Sequence, residues 1–431
     1  MICDNISVNS DGHITFAGQD VTRLAKEYGT PLYLMDETRI RHNCRVYLNA
    51  MRKNFGENFA VLYASKANSF KRIYNIIGEE QLYADVVSSG EIYTALKAGF
   101  PLTKAYFHCN NKTDEDILFA IKNGIGHFVV DSKEELDVIN NTAREFGLKQ
   151  NILLRLTPGI DTHTYEAVNT GKVDSKFGTA IETGQADVIV KYALSLENIY
   201  LCGFHCHIGS MVFDSDTFIR GAEIMLDFIK NVKDKFGYIT EQLDLGGGYG
   251  VRYVDSDPVI DISSNIDEVA DYLKIQCKKL NLKLPKILME PGRSIVADAG
   301  MTVYTVGSIK EIPGYKNYIS IDGGMSDNPR YALYESEYTV LHANKATEMA
   351  DFRCDLVGRC CESGDIIQKD VLLPKSSRGD LIAVCTTGAY NFSMAMNYNR
   401  IARPPIIMLN DGTSYVAVKR QSLDDIISGD I

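Results

Sequence analysis

Lys66 is the residue whose setting first suggests covalent chemistry. It follows the apolar run Phe59–Ala64 at a distance of one residue, and a run of that length is typical of a buried strand. An ammonium group at the end of such a strand is costly unless it is paired or loses its proton, and a neutral lysine is a nucleophile toward carbonyl groups. The alternative is an ordinary surface lysine just past a strand, and the segment alone leaves both interpretations open.

A glycine cluster follows another apolar run, where Leu243–Leu245 leads directly into Gly246–Gly248. Glycines allow successive backbone N–H groups to approach an anion closely, as phosphate sites require. The dinucleotide pattern G-x-G-x-x-G fails here, because Val251 occupies the position of the third glycine. The cluster therefore favours a phosphate-binding loop over a nicotinamide dinucleotide site, and a tight turn without a ligand is the alternative.

Two histidines lie two residues apart, so on a strand His205 and His207 share one face while Cys202 and Cys206 share the other. One zinc ion cannot easily collect both pairs. His207 could instead stack on a flat ring, and Ser210 could donate a hydrogen bond to a phosphate. Histidines that are satisfied within a core are the alternative.

Glu290 ends a further apolar run, Ile287–Met289, and Arg293 follows it closely. A buried carboxylate at a strand end needs a cationic partner. A protonated pyridine nitrogen would serve this purpose, and so would Arg293 in a structural ion pair. Both interpretations remain open at this point.

Two further groups of polar residues lie nearer the carboxyl terminus. Arg330 and Tyr334 are four residues apart, so on one helical turn they would share a face and could bind a carboxylate. Cys361 lies beside Glu362 and could donate a proton. A small apolar filler is the more ordinary role of a cysteine.

Eight short apolar runs between residues 59 and 290 alternate with stretches of helical periodicity. This alternation predicts a parallel sheet, and eight runs favour an α/β fold with a closed (β/α)8 TIM-type barrel over an open doubly wound sheet. Barrel enzymes carry their chemistry at the carboxyl ends of the strands, where Lys66, Asp85, His207 and Glu290 are expected. The runs are Phe59–Ala64, Gln81–Val87, Ala105–His108, His127–Val130, Ile152–Leu156, Ile199–His207, Gln242–Leu245 and Ile287–Met289.

The sequence pattern changes near residue 291, where short β-rich runs separated by glycine and proline turns replace the helical periodicity. Residues 1–35 are also β-rich. We therefore predict a barrel domain over residues 36–290 and a discontinuous, mostly β domain over residues 1–35 and 291–431. The stretch Thr157–Gly178 shows no clear periodicity, which is typical of a lid loop.

Composition and charge exclude several classes of protein. The net charge of -11 argues against nonspecific nucleic-acid binding and against an anionic membrane surface. No signal-peptide pattern begins the sequence, and no apolar stretch approaches the roughly 20 residues of a membrane span. The 10 cysteines contain no C-x-x-C pair, so we expect no metal site and instead reduced thiols in a cytoplasm.

Together these segments resemble the diaminopimelate decarboxylase family, which belongs to the pyridoxal-phosphate enzymes of the alanine-racemase and ornithine-decarboxylase type. The resemblance covers nearly the whole chain in order and spacing. The matching segments are Tyr63–Asn68, Asp85–Ser88, Phe107–Lys112, Pro158–His163, Asp174–Gly178, His205–Ser210, Gly246–Gly248, Glu290–Arg293, Arg330–Tyr334, Cys361–Asp365 and Gly388–Ser393.

The resemblance implies that Lys66 is joined covalently to the aldehyde of pyridoxal 5'-phosphate, that His207 stacks on the cofactor ring and that Glu290 keeps the pyridine nitrogen protonated. Cys361 would protonate the α-carbon of an amino-acid substrate. A homodimer is implied as well, in which Cys361 and Glu362 reach the cofactor of the other subunit. The further implied cofactor contacts are Asp85, Ser210, Gly247, Gly248, Pro291, Gly292, Arg293 and Tyr390. The implied substrate contacts are Arg293, Arg330, Tyr334, Glu362 and Tyr390.

The implied reaction is the decarboxylation of meso-2,6-diaminopimelate to L-lysine and CO2, the last step of lysine biosynthesis. The alternatives are a decarboxylase of ornithine, arginine or carboxynorspermidine, a racemase of the same fold, and a regulatory protein without a cofactor. Arg330 and Glu362 together favour a substrate whose distal end carries both charges, as in diaminopimelate. Cys109 departs from the family pattern, in which glycine often follows the preceding histidine.

Overall fold

The computed structural model describes residues 1–160 and 174–431. The chain forms two compact units, which we describe separately. The barrel unit contains Asn43–Gly250 and Val259–Gly292, and the β unit contains Met1–His42, Val251–Pro258 and Arg293–Ile431. The predicted domain boundaries at residues 36 and 290 stay a prediction. Among the helices of the described ranges, none is long and apolar enough to cross a membrane.

The secondary-structure elements follow in chain order. The strands are β1 (Ile6–Val8), β2 (Ile14–Phe16), β3 (Gln19–Asp20), β4 (Leu32–Asp36), β5 (Phe59–Ala64), β6 (Tyr83–Val86), β7 (Ala105–Phe107), β8 (His127–Val130), β9 (Gln150–Thr157), β10 (Thr179–Ala180), β11 (Ile199–His205), β12 (Gln242–Asp244), β13 (Lys286–Met289), β14 (Gly300–Ile312), β15 (Lys316–Ile321), β16 (Val340–His342), β17 (Phe352–Val357), β18 (Ile366–Leu373), β19 (Leu381–Cys385), β20 (Ile406–Asn410) and β21 (Thr413–Val418). The helices are α1 (Val21–Tyr28), α2 (Glu37–Phe55), α3 (Lys71–Glu79), α4 (Ser89–Lys97), α5 (Asp114–Lys122), α6 (Lys133–Glu145), α7 (Gln185–Ser195), α8 (Ser215–Phe236), α9 (Ile262–Lys279), α10 (Arg293–Val296), α11 (Arg330–Tyr334), α12 (Asn391–Met394) and α13 (Leu423–Ile427).

The barrel unit is built on eight parallel strands in the order β5, β6, β7, β8, β9, β11, β12 and β13, and β13 pairs with β5 to close the ring. The register places Ala64 beside Asp85 and His205 beside Asp244. The eight predicted runs correspond to these eight strands, so the prediction of a (β/α)8 barrel is confirmed. Apolar side chains such as Leu62 and Leu153, both 0% exposed, form a buried cluster with their neighbours from the other strands.

Side-chain caps start several barrel helices directly after a strand end. Thr113 and Asp116 form a reciprocal capping box at α5, in which the Asp116 N–H donates to Thr113 Oγ1 over 3.1 Å. Ser132 accepts the N–H of Glu135 at the start of α6 over 3.2 Å. Such caps satisfy backbone donors that the first helical turn leaves free. They therefore keep the connections after the strands short, and this fixes the residues at the strand ends.

The β unit is organised around the long strand β14. This strand pairs antiparallel with β4, β15 and β19, and β4 also pairs parallel with β20. Residues from these strands, including Leu34, Met301 and Ile407, are fully buried in one core. The β-rich segment at the start of the chain therefore belongs to this unit, as the sequence predicted.

The predicted lid stretch Thr157–Gly178 lies largely outside the described residues, which omit 161–173. Its two ends are described. Thr157 Oγ1 donates to the Phe177 carbonyl over 2.6 Å, and the Gly178 N–H donates to Asp131 Oδ1 over 2.9 Å. The guanidinium carbon of Arg155 lies 4.3 Å from the centre of the Phe177 ring. Both ends are thus fastened to the carboxyl ends of β8 and β9.

Candidate active site

Four buried polar side chains meet at the carboxyl ends of the barrel strands. Asp85 lies on β6, His108 follows β7, His205 ends β11 and Glu290 follows β13. The exposed fraction of each residue lies between 1% and 6%. Parallel strands end at the same edge of a sheet, so closure of the barrel brings together residues that are far apart in sequence.

Glu290 is the centre of this cluster. Its Oε1 lies 2.8 Å from Nε2 of His108, and its Oε2 lies 3.2 Å from Nε2 of His205. The two imidazole rings contact each other edge to face, with centroids 5.0 Å apart. Oδ1 of Asp85 lies 3.8 Å from Nε2 of His108. Two imidazoles on different strands therefore hold the Glu290 carboxylate in one orientation.

The carboxyl groups of the cluster differ in their protonation. Burial by itself raises the pKa of Glu290, but His108 and His205 outweigh burial and hold this pKa well below its ordinary value. Burial, reinforced by the neighbouring Glu290, raises the pKa of Asp244 well above its ordinary value. Burial also raises the pKa of Asp85, with His108 opposing it. These opposite shifts favour the ionised form of Glu290 and the protonated form of Asp244.

The cluster retains capacity for a further hydrogen-bond donor. Oε1 of Glu290 makes an ion-pair contact but no hydrogen bond, and neither it nor Oδ1 of Asp85 has a hydrogen-bond partner within residues 1–160 and 174–431. A buried carboxylate oxygen without a partner is costly, and a protonated pyridine nitrogen would satisfy it. His108, His205 and Glu290 also have ligand atoms within 4.8 Å of one another, a donor set that suits divalent metals. Pyridoxal phosphate therefore fits the cluster through its pyridine nitrogen.

Lys66 lies just past β5, in a 3-10 turn formed by Ser65–Ala67. Its neighbours in this turn are buried, but Lys66 itself is exposed, so of the two interpretations that the segment left open the exposed lysine is the one observed. The chain leaves the strand at Ala64, and Lys66 lies in the turn that follows. After burial, the charge of Lys66 is the next cause that lowers the pKa of His207. The amine therefore lies within electrostatic reach of this imidazole.

The turn after Glu290 packs against the strand that precedes Lys66. The carbonyl of Pro291 accepts the N–H of Ala64 over 3.1 Å. A Cβ on Gly292 would lie only 2.9 Å from the Cβ of Ala64. A larger residue than glycine would therefore push the two strand ends apart.

The glycine cluster Gly246–Gly248 follows β12 in a conformation that favours glycine, with φ of 70° at Gly246 and 115° at Gly248. A Cβ on Gly247 would lie 2.1 Å from the carbonyl oxygen of Glu290. Among the described residues, the N–H groups of Gly247 and Gly248 donate to no protein acceptor. Two free N–H groups at a strand end are suited to an anion, although a phosphate there remains a prediction.

His207 and Ser210 follow β11, and both are half-buried. A Cβ on Gly246 would lie 2.7 Å from Nδ1 of His207, so the imidazole borders the glycine cluster. Burial, followed by the charges of Lys66 and Arg155, lowers the pKa of His207 well below its ordinary value. The ring is therefore neutral at neutral pH, which suits stacking on another flat ring.

The β unit holds a second polar cluster, made of arginine and tyrosine side chains. Arg330 and Tyr334 lie together on α11. The guanidinium carbon of Arg330 lies 3.5 Å from the centre of the Tyr253 ring, and Nη1 of Arg293 donates to the Tyr253 hydroxyl over 2.8 Å. The guanidinium carbon of Arg293 also lies 4.7 Å from the centre of the Tyr390 ring. Tyr253 therefore contacts two of the predicted site residues, Arg293 and Arg330, and Arg293 in turn contacts Tyr390.

Cys361 and Glu362 lie in the turn between β17 and β18, and both are exposed. The Cys361 N–H donates to Oδ1 of Asn399 over 2.6 Å, and Oε1 of Glu362 accepts the N–H of Gly364 over 3.3 Å. Cys360, in contrast, is only 8% exposed. The two neighbouring cysteines therefore differ in their access to solvent.

Tyr253 escaped the sequence analysis, and no role at the site was predicted for His108 or His205. His108 ends the run Ala105–His108 and His205 lies in the run Ile199–His207, but their contact with Glu290 depends on the order of strands in the barrel. Tyr253 gave no signal, because it lies in a short segment between barrel elements. Cys109, beside His108, has a φ of 118°, which explains why glycine suits this position in the family.

Comparisons with known proteins agree with this geometry. Residues 40–297 match the family model described as pyridoxal-dependent decarboxylase, pyridoxal binding domain. A diaminopimelate decarboxylase from Bacillus methanolicus is 44% identical over 416 residues, which cover 96% of each chain. One from Staphylococcus aureus (strain COL) is 43% identical over 426 residues, which cover 99% of each chain. The crystal structure of diaminopimelate decarboxylase from M. jannaschii in complex with L-lysine has a TM-score of 0.92 at 34% identity, and the match covers 99% of this chain and 98% of that one. The chain therefore belongs to the diaminopimelate decarboxylase family of pyridoxal-dependent decarboxylases.

Proposed function

We propose that this protein uses pyridoxal phosphate to convert meso-2,6-diaminopimelate into L-lysine and CO2. The observation that carries the proposal is the buried Glu290 carboxylate, whose pKa His108 and His205 hold low and whose Oε1 makes no hydrogen bond among the described residues. Lys66 follows β5, the strand that pairs with the one preceding Glu290. The name shared by the curated relatives, and the lysine complex of a structural relative, support this choice of substrate.

The electron demand of the reaction explains the need for Glu290. Bound pyridoxal phosphate supplies an electron sink for the pair of electrons that remains on the α-carbon when CO2 departs. Glu290, whose pKa is held low, would accept a hydrogen bond from the pyridine nitrogen and would keep a proton on that nitrogen. Asp85 offers a second open oxygen at the same place.

The remaining cofactor contacts are proposals that rest on chemistry and position. Lys66 is exposed, so its amine is accessible for covalent attachment to the aldehyde. His207, neutral and flat, would stack on the ring. Ser210 and the N–H groups of Gly247 and Gly248 would hold the phosphate. The backbone of Pro291, Gly292 and Arg293 and the side chain of Tyr390 complete the proposed set.

The substrate would be bound through its distal charges. Arg293, Arg330 and Tyr334 bind the distal carboxylate, and Tyr390 adds a contact. Specificity follows because a substrate without this carboxylate would leave Arg330 unsatisfied. When the bond between the α-carbon and the carboxylate breaks, its electron pair stays on the carbon, and a proton from Cys361 takes the place of CO2.

We propose a homodimer in which Cys361 and Glu362 serve the active site of the other subunit, because both are exposed on the β unit. Glu362 would bind the distal ammonium group. Mixing inactive Lys66→Ala and Cys361→Ala chains should then restore about a quarter of the wild-type activity, because half of the dimers are mixed and each carries one intact site. No restored activity would refute shared sites. Proton donation requires Cys361 to be a free thiol, as it is here, so we propose a reducing cytoplasm as its location.

The decisive experiment is CO2 release by the purified protein with added pyridoxal phosphate. We expect release from meso-diaminopimelate to exceed release from ornithine or arginine by more than about a hundredfold, because these substrates lack the distal carboxylate that pairs with Arg330. Comparable release from ornithine would indicate a sibling decarboxylase. Exchange of the α-hydrogen without CO2 release would indicate a racemase. A colourless protein that gains no absorbance at about 420 nm with the cofactor would indicate a regulatory protein.

A further inference from the structure

Tyr253 is the buried centre of the arginine–tyrosine cluster in the β unit. It is 1% exposed and lies in Val251–Pro258, a segment whose flanking residues belong to the barrel unit. Its N–H donates to Oδ2 of Asp257 over 2.8 Å. Its carbonyl accepts the N–H and the hydroxyl of Thr339 over 3.1 and 2.8 Å. These three hydrogen bonds fix the backbone, so the fold itself determines where the side chain lies.

Two arginines use different parts of the same tyrosine. Nη1 of Arg293 donates to the hydroxyl over 2.8 Å, whereas the guanidinium carbon of Arg330 lies 3.5 Å from the centre of the ring. The Tyr338 ring meets the Tyr253 ring at an interplanar angle of 70° with centroids 5.7 Å apart. The hydroxyl bond and the ring contact are separate interactions, so substitutions can remove them one at a time.

The charges around Tyr253 are arranged for an anion. Burial alone would raise the pKa of this phenol, but Arg293 and Arg330 together lower it below its ordinary value. The buried Tyr33 and Tyr304 of the same unit have raised pKa values instead. Within the described residues Arg330 makes no ion pair with a carboxylate, and its Nη1 donates to the carbonyl of Glu337 over 3.2 Å. Two guanidinium groups on one tyrosine repel each other, and a carboxylate beside them would relieve this repulsion.

We propose that Tyr253 is a positioning residue for the distal carboxylate of the substrate. Its hydroxyl fixes the direction of Arg293 and its ring face fixes Arg330, so both guanidinium groups are oriented before the substrate arrives. Planar guanidinium groups recognise carboxylates by direction as well as by charge, and this preorganisation cuts the entropy cost of binding. The inference rests on the proposed function, in which Arg293 and Arg330 bind that carboxylate, and Tyr253 itself touches no reacting atom.

L-lysine and cadaverine provide a matched pair of ligands to test this role. They differ only in a carboxylate, which in L-lysine is the distal carboxylate that diaminopimelate keeps after the reaction. Calorimetry on the holoenzyme would give Kd for each ligand in the wild type and in Tyr253→Phe, which keeps the ring and loses the hydroxyl. We expect Tyr253→Phe to weaken L-lysine about tenfold, as the loss of a charge-assisted hydrogen bond predicts, and cadaverine by less than about twofold.

Two further variants make the test specific. Tyr338→Phe is the matched control, because its hydroxyl bonds Oδ1 of Asn391 over 3.2 Å and neither arginine, and we expect both Kd values within about twofold of wild type. Tyr253→Leu also removes the ring face and should weaken L-lysine about a hundredfold, with cadaverine within about threefold. Steady-state kinetics of Tyr253→Phe should show the same effect as a higher KM for diaminopimelate at a nearly unchanged kcat.

Equal weakening of the two ligands would show that Tyr253 supports the fold in general, and it would overturn the inference. Unchanged L-lysine affinity in a folded Tyr253→Phe, checked by thermal unfolding, would overturn it as well. A wild-type holoenzyme that releases no CO2 from diaminopimelate would refute the proposed function, and the inference would fail with it. If the wild type decarboxylates diaminopimelate but Tyr253→Phe keeps the full wild-type preference for L-lysine over cadaverine, the inference would be refuted and the proposed function would stand.

Discussion

Replacing Glu290 by glutamine should impair decarboxylation far more than folding. The change keeps the shape of the side chain but removes the negative charge that His108 and His205 hold in a site where Glu290 is 6% exposed. A hydrogen bond that involves a charged group contributes about 1.5–3 kcal/mol. Because about 1.36 kcal/mol in a barrier changes the rate tenfold, loss of the bond to the pyridine nitrogen predicts a kcat lower by about 10- to 150-fold.

CO2 release at saturating substrate and cofactor measures kcat, and thermal unfolding measures the effect on stability. Asp355→Asn is a matched control, because Asp355 is also a buried carboxylate, 4% exposed, and it pairs with Lys316 over 2.9 Å in the β unit away from the described clusters. This control should keep kcat within about threefold of wild type, since it touches no group of the site. The reasoning is refuted if folded Glu290→Gln with bound cofactor also keeps kcat within about threefold.

Three further predictions follow from single side chains. Lys66→Ala should release no CO2 from diaminopimelate. After borohydride reduction, mass spectrometry of this variant should find no cofactor attached to the chain. A variant chain that carries the mass of the reduced cofactor would contradict the role of this amine. The Nζ of Lys112 is fully buried and lies 2.7 Å from Oε1 of Glu135. Lys112→Met should therefore lower the free energy of unfolding by about 3–5 kcal/mol, because it leaves the Glu135 carboxylate buried without its partner. A loss below about 1 kcal/mol, measured by urea denaturation, would contradict this. Burial raises the pKa of Asp327 to about 7, so the folded chain keeps a proton that the unfolded chain releases at lower pH. Stability should therefore fall as pH rises from about 4 to about 7. The melting temperature of Asp327→Asn should change less with pH over this window than that of the wild type, and equal slopes of melting temperature against pH would contradict this.

The barrel was predictable because each of its strands is a short, nearly continuous apolar run. The β unit was less so. β18 was not predicted, because its charged residues Lys369 and Asp370 are exposed and interrupt the apolar pattern. Asp370 also has a φ of 57°, and the pairing of β17 with β18 changes register near this point. Such irregular strands depend on tertiary pairing more than on local sequence.

The position of Glu290 at a strand end was predictable, but its partners were not. His108 lies 182 positions before it in the printed numbering, and the contact follows from barrel closure and strand order. The exposure of Lys66 could not be decided from the segment alone, because apolar periodicity does not reveal a 3-10 turn after the strand. The role of Tyr253 depends on a segment that leaves the barrel unit for eight residues, and nothing in its local pattern indicates this.

The placement of β4 has a consequence for synthesis on the ribosome. This strand, with all of its residues buried, lies between β14 and β20, whose residues begin at Gly300 and Ile406. The strands of the barrel are all translated before Gly300, so the barrel has its complete set of strands while β4 still lacks both partners. An unpaired apolar strand is a site for association with other chains. The nascent polypeptide is therefore most exposed to self-association between the emergence of β4 and that of β20, and a transcript truncated before Ile406 would leave one edge of this strand permanently open.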